Sequence, residues 1–157
     1  MIVEDGHATR RGFLIGAAGF GLVTVLPAGE ARATPASLAA AIRKVVGTAE
    51  PRKGKVTLDL PPIVENGNTV SVDVSVESPM TPDSFVKAIH IFNEKNPQPN
   101  VFSARLSPRS GQAKIATRMR LADSQRAVAI AEMNDGTFWS DEIEVIVTIA
   151  ACLEDPV

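Results

Sequence analysis

No stretch constrains this chain more than Val70-Ser71-Val72-Asp73-Val74-Ser75-Val76, where a β-branched valine alternates strictly with a polar residue. Successive side chains of a strand point to opposite faces, so a two-residue period makes one apolar face and one wet face; on a helix the same valines would be scattered around the whole circumference. The segment has to be a half-buried strand, and such a strand needs a second apolar layer to cover it. The period recurs in Val56, Leu58 and Leu60, and apolar runs of strand length follow in FVKAIHIF, VFSARL, AKIATRMRL, RAVAIAEM and TFWSDEIEVIVTI. Turn residues separate them: Glu65-Asn66-Gly67-Asn68 between the first two, where Asn-Gly suits the positive φ of a tight hairpin, and Asn134-Asp135-Gly136 between the last two. About seven strands at intervals of roughly 8–12 residues predict a mainly β fold, an immunoglobulin-like β-sandwich over residues 48–149. The paired cysteines of antibody domains are absent, so this expectation concerns architecture alone.

Ahead of the strands the period is different. Leu38, Ile42, Val45 and Val46 have helical spacing, with Thr34 suited to the N-cap, Pro35 to the first turn and Gly47 to the stop, which predicts one short N-terminal helix over residues 34–47. Its apolar stripe has two readings, packing on the body of the domain or docking on another subunit.

Residues 1–33 read as an export signal. Thr9-Arg10-Arg11-Gly12-Phe13-Leu14 carries the paired arginines Arg10 and Arg11 of the twin-arginine route, a Gly- and Ala-rich apolar run continues to Leu26, and Ala31-Arg32-Ala33 supplies small residues at Ala31 and Ala33 for cleavage. The apolar run falls short of the ~20 residues a spanning helix needs and is broken by glycines. A periplasmic mature chain starting at Thr34 is expected, with no membrane anchor. It retains roughly 120 residues, enough for one core and not for two. The signal holds three arginines and three carboxylates, so the formal charge stays at −2, which argues against nucleic acid as a partner.

The residue inventory removes several chemistries. His7 and His90 are the only histidines, and His90 alone outlasts signal removal, so a blue-copper site with two histidines and a cysteine cannot be built. A structural zinc site would need at least two carboxylates at no recognisable spacing, and there is no CxxCH for covalent haem. No cofactor is expected. His90 sits inside an apolar run and reads as a core or interface residue rather than a base. Arg118 and Arg120 read as one solvated strand face, with an oxyanion ligand as the alternative. Phe138-Trp139 after the last turn reads as a core anchor or, alternatively, a partner-binding patch, and Asn93-Glu94-Lys95-Asn96-Pro97-Gln98-Pro99-Asn100 reads as a loop.

Cys152 then stands out as the only cysteine, placed beyond the last strand as though on a short arm, Ala150-Ala151-Cys152-Leu153. In an exported protein an unpaired thiol invites oxidation unless it serves a purpose. A thiolate is nucleophilic and can hold sulfur as a persulfide or thiosulfonate adduct. An exported β domain with one cysteine after its last strand, together with FNEKNPQPNVFSARLSP, GQAKIATRMRLADSQRAVAIAEMNDGTFWSDEIEVIVTI and the twin-arginine signal, resembles the SoxY family, the sulfur-carrier subunits of the SoxYZ complex of periplasmic thiosulfate oxidation.

The resemblance implies a carrier, not an enzyme. Cys152 matches the position that holds the sulfur substrate, a c-type cytochrome couples thiosulfate to it, a hydrolase releases sulfate, and a sulfane-oxidising enzyme acts on what remains; a SoxZ-like β-sandwich completes a heterodimer. Members of the family typically end in Gly-Gly-Cys-Gly-Gly, whereas here Ala150 and Ala151 precede the thiol and Leu153-Glu154-Asp155 follow it. Alanine narrows the poses glycine allows, and the carboxylates disfavour the thiolate. The competing class is an exported protein-binding or assembly subunit in which Cys152 makes only an intermolecular disulfide. A thiol-dependent redox enzyme would need a resolving cysteine that the chain lacks.

Overall fold

The computed structural model describes residues 34–149. The expected export signal at 1–33 and the expected arm at 150–157, and with them Arg10, Arg11, Ala31, Ala33, Ala150, Ala151, Cys152 and Leu153, lie outside the described residues.

The first element is α1 (Pro35–Val46), and both of its ends follow from local chemistry. Thr34 caps the start: its Oγ1 accepts from the Ser37 N–H at 3.2 Å while the Ser37 hydroxyl accepts from the Thr34 N–H at 2.6 Å. Gly47 ends it with φ 64°, a conformation in which its N–H reaches the Arg43 carbonyl at 2.8 Å.

Nine strands follow: β1 (Arg52–Lys53), β2 (Val56–Asp59), β3 (Ile63–Asn66), β4 (Val70–Val76), β5 (Val86–Asn93), β6 (Asn100–Arg105), β7 (Lys114–Met119), β8 (Gln125–Met133) and β9 (Phe138–Ile149). They form an immunoglobulin-like sandwich, with one sheet in the order β1-β9-β8-β5-β6, β3 also paired to β9, and a second sheet in the order β2-β4-β7. Val70, Val72, Val74 and Val76 all face the interior, with Val72 and Val74 at 0% exposure. Each such side chain removed from water stabilises the fold by about 1.5–3 kcal/mol before chain entropy is subtracted. They meet Ile89 and Ile91 of β5, Ala127, Ala129 and Ala131 of β8 and Val145 and Val147 of β9 across the sandwich.

The other face of the larger sheet is buried too. Leu38 and Val46 of α1 pack on Phe92, Val128 and Ile130, which decides between the two readings of the helix: its stripe covers the domain's own sheet. This explains why β5 and β8 lack a polar face, since a strand covered on both sides reads as a continuous apolar run.

Two short strands, β1 and β3, exceed the expected seven, and both run parallel to β9. The chain leaves the edge of β9 after β1, crosses to pair β2 with β4, then returns as β3. Where β9 has neither neighbour, the Asp141 carboxylate accepts the Leu58 N–H at 2.9 Å and joins the two sheets. The two strands the sequence placed on either side of Asn66-Gly67-Asn68, β2 and β4, do pair antiparallel, but the turn does not close their hairpin: it carries the chain from the intervening β3 in one sheet to β4 in the other. Gly67 does not adopt positive φ there, and the turn is held by the Asn66 side chain accepting from the Asn68 N–H at 2.9 Å. The Asn134-Asp135-Gly136 turn does join β8 to β9, with Gly136 at φ 81°. Hydrogen bonds from the Thr137 hydroxyl and N–H hold the Asp135 carboxyl below its ordinary range.

Candidate functional site

The end of the sandwich at Ile149 is built by three connections that hydrogen-bond to β9 or to one another. Val147 donates its N–H to Ser124 Oγ at 2.9 Å, and Thr148 donates its hydroxyl to the Glu65 carbonyl at 3.1 Å. Gly67 donates its N–H to the Ile149 carbonyl at 3.0 Å, and its own carbonyl accepts from Leu121 N–H at 2.8 Å. Beside them Asn96 binds two segments at once: its Nδ2 donates to the Arg120 carbonyl at 2.7 Å, while its Oδ1 accepts from Ala122 N–H and Gln125 Nε2, both at 3.0 Å. Gln125 in turn accepts from Lys95 N–H at 2.7 Å. The strand is thus anchored up to Ile149, and Cys152 lies three residues further along the sequence, a reach of roughly 10 Å at full extension.

Asn96, Ser124 and Gln125 carry no signal of these roles in the sequence: the segment around Asn96 reads as a loop, but a side chain that bridges two loops leaves no period and depends on where the strands bring them.

Other conspicuous residues go elsewhere. Trp139 packs against the sandwich interior with Lys55 Nζ 4.8 Å and the Arg52 guanidinium 5.9 Å from the ring centroid, whereas Phe138 points to the helix side, so both are anchors on opposite faces of β9. Arg118 on β7 and Arg120, one residue past the end of that strand, are both exposed on either side of the buried Met119, as the solvated-face reading expects. Among the described residues no three His, Cys, Asp or Glu side chains come together as a metal-ligand set.

His90 is half-buried on the helix side of β5, stacked 6.3 Å from Phe92. Its Nδ1 is 2.8 Å from Ser103 Oγ, whose hydroxyl donates to Asn100 Oδ1 at 3.2 Å. Nε2 is buried without a partner among the described residues. Burial pushes the imidazole below its ordinary value; Glu132 opposes the shift and Arg105 adds to it. Because the folded value is the lower one, the unfolded chain takes up the proton first: the contribution is full above about pH 6.5 and is lost as pH falls toward the folded value. A His90→Gln variant is therefore expected to show a flatter loss of urea midpoint below pH 6.5 than the parent chain, while the two curves run parallel above it.

Comparisons with known proteins agree with this layout. Residues 42–152 match the family described as sulfur oxidation protein SoxY, and the match ends on Cys152. The structure of the sulfur carrier protein SoxY from Chlorobium limicola f thiosulfatophilum is similar over 73% of this chain and 98% of its own, with 29% identity and a TM-score of 0.61. A superoxide reductase (neelaredoxin) from Ignicoccus hospitalis is similar over 78% of this chain and 99% of its own, at 20% identity and a TM-score of 0.54, a likeness of fold alone. No curated protein matches. With a β-sandwich of this topology and a family match spanning most of its length up to the lone cysteine, the chain belongs to the SoxY family of sulfur oxidation proteins.

Proposed function

We propose that this protein carries thiosulfate-derived sulfur covalently on Cys152 and presents it to partner enzymes, without catalysing turnover itself. The observation that supports this most is that the family match runs up to Cys152, three residues beyond a strand end anchored at Ile149. In the loading step the thiol and thiosulfate lose two electrons and one proton and form one S–S bond, giving Cys–S–S–SO3⁻; a c-type cytochrome takes the electrons. In the next step water attacks the sulfonate sulfur under a hydrolase, releasing sulfate and two protons and leaving Cys–S–S⁻. A further oxidoreductase oxidises that sulfane sulfur. A SoxZ-like β-sandwich is the partner in a heterodimer, and the compartment is the periplasm, reached by the twin-arginine route.

Intact mass of the protein recovered from cells growing on thiosulfate tests the reading. Sulfur adducts that disappear with reductant are expected; unmodified chain, or chain found only as a disulfide dimer on non-reducing electrophoresis, would favour the assembly-subunit alternative. The same sample checks the export reading, with the mature N-terminus expected at Thr34 and the intact Met1 form counting against it.

A further inference from the structure

α1 does not cover the outer face of the larger sheet completely. Between the helix, the segment entering β1 and the strands β8 and β9, a cleft of about 210 Å³ stays open. Its apolar surface comes from Ile42, Val128 and Ile130 of the cluster that seats the helix, together with Pro51. Sites for drug-sized ligands occupy roughly 300–1,000 Å³, so a cleft of this size suits a shorter molecule.

Strand register places polar groups against this apolar surface. Lys53 of β1, Ser140 of β9 and Ile130 of β8 are successive register partners, and Glu142 pairs with Val128 in the next row on the same face. Ser140 is only 8% exposed and lines the cleft, yet its hydroxyl has no hydrogen-bond partner among the described residues. A buried hydroxyl is normally hydrogen-bonded, so this one keeps a donor and acceptor sites for whatever enters. At the rim one carboxylate serves two cations: Lys53 Nζ is 3.1 Å from Glu142 Oε1, whereas Arg126 Nη1 is 3.7 Å from Oε2, too long for a hydrogen bond. The guanidinium therefore retains its N–H donors. Glu144, the register partner of Arg126, lines the neighbouring cleft instead and makes no ion pair with it among the described residues.

We infer that this cleft binds a short-chain organic anion, a carboxylate or sulfonate whose hydrocarbon end lies on Ile42, Val128 and Ile130 and whose oxygens accept from the Arg126 guanidinium and the Ser140 hydroxyl. Ser140 precedes Ile149 by nine residues on the same strand, roughly 30 Å, so the site is separate from the strand end on which the carrier reading turns and stands or falls without it. Butane-1-sulfonate is the probe, titrated at constant ionic strength into the 15N-labelled mature chain while amide shifts are followed by NMR. Saturable shifts centred on residues 126–130 and 140–142 are expected, with a Kd on the order of 1 mM, as suits a ligand of about eight heavy atoms. Inorganic sulfate, which lacks the chain, and butylammonium, which reverses the charge, are each expected to bind at least about 10-fold more weakly. Arg126→Gln is expected to weaken the sulfonate about 10-fold and Ser140→Ala about 3-fold. Neither side chain makes a hydrogen bond within the described fold, so both variants should keep the parent's urea midpoint, and the comparison of the three probes on the parent chain needs no variant at all. No saturable shift up to 20-fold above the expected Kd, shifts centred elsewhere, sulfate or butylammonium binding as tightly as the sulfonate, or parental affinity in either variant would each overturn the assignment.

Discussion

A Cys152→Ser variant is expected to lose covalent loading completely, with no adduct in its intact mass and thiosulfate-dependent cytochrome reduction at background in a reconstituted mixture. A serine hydroxyl cannot enter the chemistry: the step requires a thiolate that can form and later release an S–S bond, and an alcohol is ionised too weakly to attack and yields no such bond. The chain has no other cysteine to take over. Residual loading of more than a trace in the variant would place the sulfur elsewhere and defeat the carrier reading. The variant should retain the parent's urea midpoint, because the buried core is built from residues up to Val147.

The largest effect on stability is expected at Phe92, which is fully buried between α1 and the larger sheet. Phe92→Ala removes its contacts with Leu38, Val128 and Ile130 and leaves a cavity that the strands on either side, β6 and β8, are too constrained to close. The expected loss is about 3–5 kcal/mol, which lowers the urea midpoint by roughly 2 M. As Leu38 loses a neighbour in this cluster, α1 should fray as well, and native-state hydrogen exchange in residues 38–46 should quicken beyond the rest of the domain. A midpoint change comparable with an exposed substitution such as Ile146→Ala, within about 0.5 kcal/mol, would mean that the helix does not rely on this contact.

Both predictions concern residues whose significance was visible to different degrees in the sequence. Cys152 could be picked out because its chemistry is unique in the chain, and its meaning came from the family pattern around it. Phe92 was one apolar residue in a run, and nothing local said that it faces away from the sandwich interior and under a helix.

The sequence by itself determined the β architecture, because a two-residue period of valines and serines is satisfied only by strands with one face buried, as Val70 to Val76 show. It also determined where α1 starts and stops, since capping depends on Thr34, Ser37 and Gly47 within hydrogen-bond reach along the chain. Tertiary structure alone decided the rest. The apolar stripe of α1 could have faced a partner; that it covers β5 and β8 depends on those strands lying side by side. The Asn-Gly turn was legible as a turn, but its strands join different sheets, because a two-residue β1 and a four-residue β3 use the free edge of β9. Short parallel strands carry too few residues to show a period, and their pairing is with a segment more than eighty residues away. The anchoring of β9 at Gly67 and Ser124, the bridging of two connections by Asn96, and the gathering of Ile63 beside Ile146 have the same origin: contacts between residues distant in sequence leave no pattern until the chain has folded and the strand register brings them together.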